Sequence, residues 1–372
     1  MIATRFMELR KRRGLMIALI LVTIGIPTVF LAIRLILHAA APNSYGPAGG
    51  YDVFTGMVSG VLFVFGFIVA ATLGATAGSS DLTDGMFRHL VVTGRSRLAL
   101  YLARIPAGFA IIGTMIAVGF TIVCAVCVFA APTQLNFDGI NVPVHLSPAG
   151  LENWAADHPN KVICNAIDFP FDPSSSFGQV VQAVPCGNGP GGGPNGGQVI
   201  IKGPPGVQVQ NPSPPSEAQL TQAARHIASR DYSEYSRLFL YPSNSLMIKS
   251  GLWLELEAAI GFIVGLGLGS LLGQRTVAVI IMIVLEVVLT PILSRARIPH
   301  FINLQRGVVG LATAHLAPGG LPVLGGGGGG PGGGNGNPRL LPESTTVAIS
   351  VIVAWLVVWT ILGAWRMMTR DA

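Results

Sequence analysis

Charged side chains are scarce in this chain. Only 11% of its 372 residues are Asp, Glu, Lys or Arg, whereas a soluble domain usually carries about 25%. Hydrophobic residues make up 51% of the chain, and the mean hydropathy is +0.60. This composition excludes an ordinary soluble domain and predicts a membrane protein.

Several catalytic and nucleotide-binding motifs are also lacking. The sequence has no HExxH, no GxSxG and no acidic metal cluster in or near an apolar run. Two glycine-rich runs, 187–216 and 325–337, do not contain the GxxxxGK[ST] order of a phosphate-binding loop. We therefore expect no enzyme activity and no cofactor in this chain, and nothing in it indicates a nucleic-acid partner.

Six apolar runs are long enough to cross a bilayer, which takes about 20 residues. They are 14–38, 52–76, 106–131, 251–272, 277–294 and 346–365. The run 251–294 is divided because a single helix of 44 residues would be about 66 Å long, too long for a hydrocarbon core of about 30 Å. Gln274 and Arg275, which follow Gly273, predict a tight turn at the division.

Basic residues predict how the spans are oriented. They concentrate at one set of span ends: Arg5, Arg10, Lys11, Arg12, Arg13, Arg88, Arg95, Arg97, Arg104, Arg275, Arg366 and Arg370. Because Lys and Arg favour the cytoplasmic side, we predict an all-α membrane protein with six transmembrane helices and both termini cytoplasmic. Residues 132–250 then form a large exterior insertion between helices 3 and 4. Arg295, Arg297 and Arg306 fall outside in this topology, against the rule.

The chain thus divides into four parts. Residues 1–13 form a cytoplasmic amphipathic segment, and 14–131 contain helices 1–3. The insertion 132–250 contains a mobile Gly/Pro-rich linker at 187–216. Residues 251–372 contain helices 4–6.

A polar loop, "SSDLTDGMFRHLVVTGRSR" at 79–97, is the only sizeable cytoplasmic loop. Residues 82–92 predict a short amphipathic helix, with Asp81 as its N-cap and Gly94 at its end. Two interpretations are open: a connector lying on lipid headgroups, or a docking element for a cytoplasmic partner.

Two stretches resemble the permease subunit of ABC-2-type transporters. The chain opens with the basic amphipathic "TRFMELRKRRGLM", and span 2 leads into Asp81, Gly85, "MFRHLVVTG" and Ser96-Arg97. "GSLLGQRTVAV" at 269–279 resembles the family's turn between spans 4 and 5. The resemblance covers 1–131 and 251–366; the family usually has Glu where Asp81 stands, a shorter side chain with the same charge.

The resemblance implies a function and partners. The loop 79–97 would be the coupling helix that docks on a separate ABC ATPase subunit, through Asp81, Asp84, Gly85, Phe87, Arg88, Arg95 and Arg97. The chain would be a multi-pass permease of a bacterial plasma (inner) membrane that exports an unidentified substrate. It would pair with a second copy or with a homologous permease as a dimer.

Expectations for the insertion come from its residues alone. Scattered apolar and aromatic positions in 132–186 predict a small β-rich cap, and Ser216 with Gln219 predicts a capping box that opens a helix to about 238. Cys164 and Cys186 predict a disulfide, because thiols tend to pair outside the cytoplasm; two free thiols are the alternative. Cys124 and Cys127 lie within span 3, where they are expected to serve as small apolar packing residues.

Ionisable residues inside spans are costly, so each is a candidate site. Glu286 lies near the middle of span 5. It is interpreted either as a neutral packing residue or as a polar point on a substrate path or subunit contact. Glu255, Glu257 and Arg34 are expected to lie at the interface or in ion pairs.

Two further features concern packing. Gly261, Gly265, Gly269 and Gly273 follow one another at four-residue spacing, which predicts one stripe of close helix contact. The segment 295–320 is too apolar for a free loop and too rich in Arg for a span, so it is predicted to be interfacial or re-entrant. A seventh span is the competing interpretation.

Two other functions remain open. A sensor or binding protein would act through its exterior loop and would have no ATPase partner. A secondary transporter would show an inverted repeat with broken helices, and the hydropathy shows none.

Overall fold

The computed structural model describes residues 2–41, 48–83, 96–131, 135–137, 140–143, 146–165, 215–238, 242–295, 302–318, 321 and 343–369. The chain forms two compact units. The first contains residues 1–131, 241–327 and 336–372; the second contains 132–240 and 328–335.

Six helices among the described residues are long and apolar enough to cross a membrane, as predicted. They are span 1 (Arg13–Ala40), span 2 (Tyr51–Ser80), span 3 (Arg97–Phe129), span 4 (Asn244–Leu272), span 5 (Arg275–Ser294) and span 6 (Thr345–Thr369). A separate helix, Ile2–Lys11, precedes them and packs on span 3. The chain is therefore a multi-pass membrane protein.

Three spans contain a stretch of wider π-helix. These stretches are Leu21–Gly25, Met57–Leu62 and Val284–Leu289. The first lies just before Pro27, whose ring nitrogen cannot donate a helix hydrogen bond. The third contains Glu286, and wider turns of this kind often occur at functional sites.

The turn between spans 4 and 5 confirms the division of the long apolar run. Gly273 ends span 4 with a left-handed backbone, φ 70°, a conformation that glycine adopts without a steric penalty. Gln274 is extended, and the next helix begins at Arg275. The fourth glycine of the sequence stripe thus caps a helix.

Spans 2 and 4 are the most deeply buried helices of the bundle, and they touch through their backbones. A Cβ built on Gly265 would lie 2.5 Å from the carbonyl oxygen of Ala71, and one on Gly269 would lie 2.5 Å from that of Ala75. Gly261 lies against Phe67 in the same way, at 3.1 Å. At Gly265 and Gly269 a side chain would collide with backbone atoms and force the two helices apart, whereas at Gly261 a shift of a few tenths of an ångström would accommodate a methyl group.

The segment after span 5 forms two short helices, Ile302–Arg306 and Val309–Leu316. Neither is long enough to be a seventh span. The second, called the inner helix below, is buried and packs on span 6 and on the end of span 5. Hydrogen bonds fix the segment at both sides: Gln305 Nε2 donates to Leu293 O at 3.2 Å, and Trp355 Nε1 donates to Gly307 O at 2.8 Å.

The second unit is mainly helical where it is described. Its helices are Pro148–Asp157, Pro159–Asn165 and Glu217–Leu238, and its one described hairpin pairs Leu135–Phe137 with Ile140–Val142. The prediction of a β-rich cap is therefore wrong for 148–165, where Ser147 caps a helix that begins at Pro148. Leu151, Ile163 and Ala224 lie in the core of this unit.

Two finer predictions in this unit can be compared with the structure. The capping box is confirmed: Ser216 N donates to Gln219 Oε1 at 2.8 Å, and Gln219 N donates to Ser216 Oγ at 3.4 Å. Cys164 is disulfide-bonded, whereas Cys186 lies outside the described residues. The linker 187–216 is described only at its end, and the run 325–337 is not described.

The contact between spans 2 and 4 yields a stability prediction. Replacing Gly265 by Ala should destabilise the folded protein by about 1–3 kcal/mol, since the methyl group would collide with the backbone at Ala71. The measurement is thermal unfolding of the purified chain in detergent.

Gly56→Ala is the matched control. A Cβ at Gly56 meets nothing within 4 Å, so this variant should unfold at or slightly above the wild-type temperature. Equal stability of the two variants would contradict the packing described here.

Candidate functional site

The polar loop 79–97 is described only at its two flanks. Span 2 continues as a helix to Thr83, and the chain is described again from Ser96. Asp81 lies in the last turn of this helix, so the prediction that it caps a new helix is wrong. The polar Ser79 does not end the helix. Its hydroxyl donates back to Ala75 O, four residues earlier in the same helix, at 2.8 Å. The other predicted docking residues before Ser96 lie outside the described residues: Asp84, Gly85, Phe87, Arg88 and Arg95.

The Ser96-Arg97 pair has a defined local role. Ser96 Oγ accepts a hydrogen bond from Ala99 N at 3.2 Å and so caps the first helix of span 3, Arg97–Leu102. Arg97 Nη1 donates to Met368 O in the last turns of span 6, at 3.0 Å. The far flank of the loop is thus connected to the end of another span.

At the start of the loop, the chain is held by hydrogen bonds to Gly78. Its carbonyl oxygen accepts hydrogen bonds from Arg104 Nη1 at 3.2 Å and from Ser270 Oγ at 3.3 Å. Arg104 is 2% exposed, and Ser270 is fully buried. A single backbone carbonyl therefore connects spans 2, 3 and 4 where the loop begins.

Two glutamates lie buried together inside the bundle. Glu286 is 4% exposed and Glu257 is 2% exposed, and their carboxyl groups interact electrostatically. The expectation that Glu257 lies at the interface is therefore wrong, because neighbouring helices cover its side chain. Glu255 is partly buried and lies beside Gly113 of span 3, while Arg34 is partly buried in span 1.

Small residues and threonines surround the two carboxyl groups. Gly310 of the inner helix lies directly against the Glu286 carboxyl group, where any larger residue would collide with it. Thr290 Oγ1 is 3.5 Å from Glu286 Oε2, and the Thr313 hydroxyl is in hydrogen-bond contact with Glu257. Trp253 Nε1 donates to Thr313 O at 3.0 Å and holds the inner helix on span 4. The pair thus lies where spans 4 and 5 meet the inner helix.

The sequence contained a signal for this pair. Glu257 lies 16 residues before Gly273, and Glu286 lies 13 residues after it. Two helices joined by a tight turn run antiparallel, so the two glutamates differ in depth by three residues, about 4.5 Å. The sequence does not give the rotation of each helix about its axis, which decides whether the two side chains face each other.

The basic residues that contradict the charge rule have a partial explanation. His315 Nδ1 lies 3.7 Å from Glu343 Oε2 and forms an ion pair with it when the His315 ring is protonated, and the charge of Glu343 also interacts with Arg306. Burial raises the pKa of the Glu343 carboxyl, while the charges of His315 and Arg306 oppose that change. Arg306 therefore lies beside an acidic residue; the side chain of Arg295 and all of Arg297 lie outside the described residues.

Comparisons with protein-family models, with curated proteins and with solved structures found no match to this chain. The chemistry of the two sites therefore has to be argued from their own residues. The loop base offers a mechanical connection between spans, and the glutamate pair offers a buried acidic centre.

The loop base yields a prediction from two arginines that make similar bonds. Arg104→Ala removes a buried bond to Gly78 O and leaves a cavity, so it should cost about 2–4 kcal/mol of unfolding free energy. Arg97→Ala removes a bond to Met368 O that is exposed and should change stability by less than about 0.5 kcal/mol. Thermal unfolding of both variants in detergent measures the difference; equal losses would show that Gly78 is not a structural centre.

Proposed function

We propose that this chain is the membrane-spanning permease subunit of an ABC-2-type exporter. ATP would be bound and hydrolysed by a separate ATPase subunit that docks on the loop 79–97. The observation that carries the proposal is the connection at Gly78, where the loop begins and where Arg104 and Ser270 bind one carbonyl oxygen. A force applied to the loop acts on spans 2, 3 and 4 together.

The surrounding residues support the same assignment. The Ser-Arg pair that resembles the family's motif is the N-cap of span 3 and a connection to span 6. The basic helix Ile2–Lys11 packs on span 3 with Leu9 buried, and its outer residues are exposed. In this proposal both termini and the loop are cytoplasmic in a bacterial inner membrane, and the unit 132–240 is exterior.

A dimer is part of the proposal. Spans 1, 5 and 6 expose rows of large apolar side chains, among them Ile36, Ile292 and Ile361. These faces suit lipid, a second copy of the chain or a homologous permease. Because one six-helix unit rarely encloses a path, we propose that two such units together form it.

A secondary transporter is the second candidate function. The observation that favours it is the buried pair of Glu257 and Glu286, since intramembrane carboxyl groups often occur on ion or proton pathways. The two candidates differ in whether an ATPase binds the loop.

The docking surface can be tested by site-specific crosslinking in native membranes. A photoreactive residue at Phe87 should capture a chain that carries a Walker A motif, identified by mass spectrometry. The same residue at Phe129, which is the last residue of span 3 and is 90% exposed, should not capture it. Capture from both positions or from neither would contradict ATPase docking on this loop.

Charge reversal tests the same contact quantitatively. Arg88→Glu, or replacement of Asp81 and Gly85 together, should lower co-purification of the ATPase by about tenfold, which corresponds to about 1.4 kcal/mol of binding free energy. Lys249→Glu is the control, since Lys249 is an exposed base near the start of span 4, at the other end of that helix from Ser270. Unchanged co-purification in the loop variants, with normal insertion, would overturn the proposal.

A further inference from the structure

One oxygen in each of the carboxyl groups of Glu257 and Glu286 lacks a hydrogen-bond donor among the described residues. In each group the Oε1 atom is buried and has no hydrogen-bond partner among the residues that the structure describes. Ionised carboxyl groups only accept hydrogen bonds, and they accept up to about four each. A buried carboxylate without donors is among the most costly groups that a membrane protein can contain.

The two neighbouring threonines do not supply the missing donors. The Thr290 hydroxyl donates to Leu285 O at 2.9 Å, which is closer than its 3.5 Å distance to Glu286 Oε2. The Thr313 hydroxyl donates to Gly310 O at 3.1 Å. Each hydroxyl has a single hydrogen, so a hydroxyl that gives it to the backbone carbonyl can only accept from its glutamate. In that arrangement the hydrogen of the contact comes from a protonated carboxyl group.

Basic groups do not neutralise the pair either. On span 4 the nearest other charged residue is Glu255, and it lies beside Gly113 of span 3 and does not face the pair. The inner helix contributes His315, which binds Leu311 O and Glu343. Arg306 interacts with Glu343, and the described part of span 5 before Arg295 has no charged residue except Glu286 and Arg275. Within the part of the chain that the structure describes, no cation therefore compensates the charge of the pair.

We propose that Glu257 and Glu286 form a proton-binding site inside the membrane bundle, which holds at least one proton in this packed conformation. The bound proton provides the donor that the geometry lacks, from a carboxyl group to a threonine oxygen. Loss of the last proton would leave two like charges in a buried position. Spans 4 and 5 and the inner helix would then have to separate or admit water.

Infrared spectroscopy of the full chain in lipid nanodiscs tests this site without an ATPase or a substrate. The difference spectrum between wild type and the double variant Glu257→Gln/Glu286→Gln should contain the carbonyl stretch of a protonated carboxyl group at neutral pH. That band should disappear at high pH. Glu255→Gln is the control, and its difference spectrum should lack the band that the pair produces.

Two further variants test the site in case the double variant fails to fold. Thr313→Val and Thr290→Val keep the side-chain shape but remove the hydroxyl oxygen that would accept the proton. At least one of them should shift the protonated-carboxyl band of the wild type.

The proposal is overturned if the double-variant difference spectrum shows only carboxylate bands at neutral pH. It is also overturned if neither valine variant changes the protonated-carboxyl region. Since the measurement needs no partner chain, its outcome is independent of whether an ATPase binds the loop.

Discussion

The close backbone contact between spans 2 and 4 is the constraint on which the rest of the bundle depends. In a bilayer the hydrophobic effect does not drive helices together, so small residues and close packing have to do so. The contact is reciprocal: Gly265 and Gly269 lie against Ala71 and Ala75, while Gly78 lies against Leu266. This approach brings Ser270 within bonding distance of Gly78 O. The geometry of the loop base is thus a consequence of glycine placement in the membrane.

Polar groups are found deep in the bundle, and their hydroxyl groups bond to backbone carbonyls. Thr23 and Ser59, for example, donate to Leu19 O and Thr55 O. Nearly every such hydroxyl uses its hydrogen within its own helix. Glu257 and Glu286 differ because an ionised carboxylate has no hydrogen to give. The hydrogen bonds that the pair can make therefore depend on whether it is protonated.

The sequence predicted features that depend on local chemistry. The number of spans, the Gly273 turn and the capping box at Ser216 follow from hydropathy, backbone freedom and short-range hydrogen bonds. Two wrong predictions, for Asp81 and for 148–165, concern residues that suit more than one local structure. Asp81 suits an N-cap, yet the longer span-2 helix continues through it. The apolar residues of 148–165 fit either strand or helix, and the cap at Ser147 favours helix.

Features that depend on the rotation of a helix about its axis could not be predicted from the sequence. Glu257 and Glu255 are two residues apart on one helix, so they lie on different faces, and one faces Glu286 while the other faces Gly113. No periodicity in span 4 distinguishes these faces, because most of its surface is apolar and buried. The loop residues Gly85 and Arg88 lie outside the described residues, so their docking role stays a prediction.

Span 4 connects the two candidate sites. Ser270 lies 13 residues after Glu257 on one continuous helix, so the loop base and the carboxyl pair are about 20 Å apart along its axis. The glycines between them, Gly261, Gly265 and Gly269, hold span 4 in close contact with span 2. A displacement of the loop base along span 4 would therefore be carried by a rigid helix to Glu257. At that point Glu286 and the inner helix belong to other segments, so the movement would change the contact between the two carboxyl groups, and with it the proton that they hold.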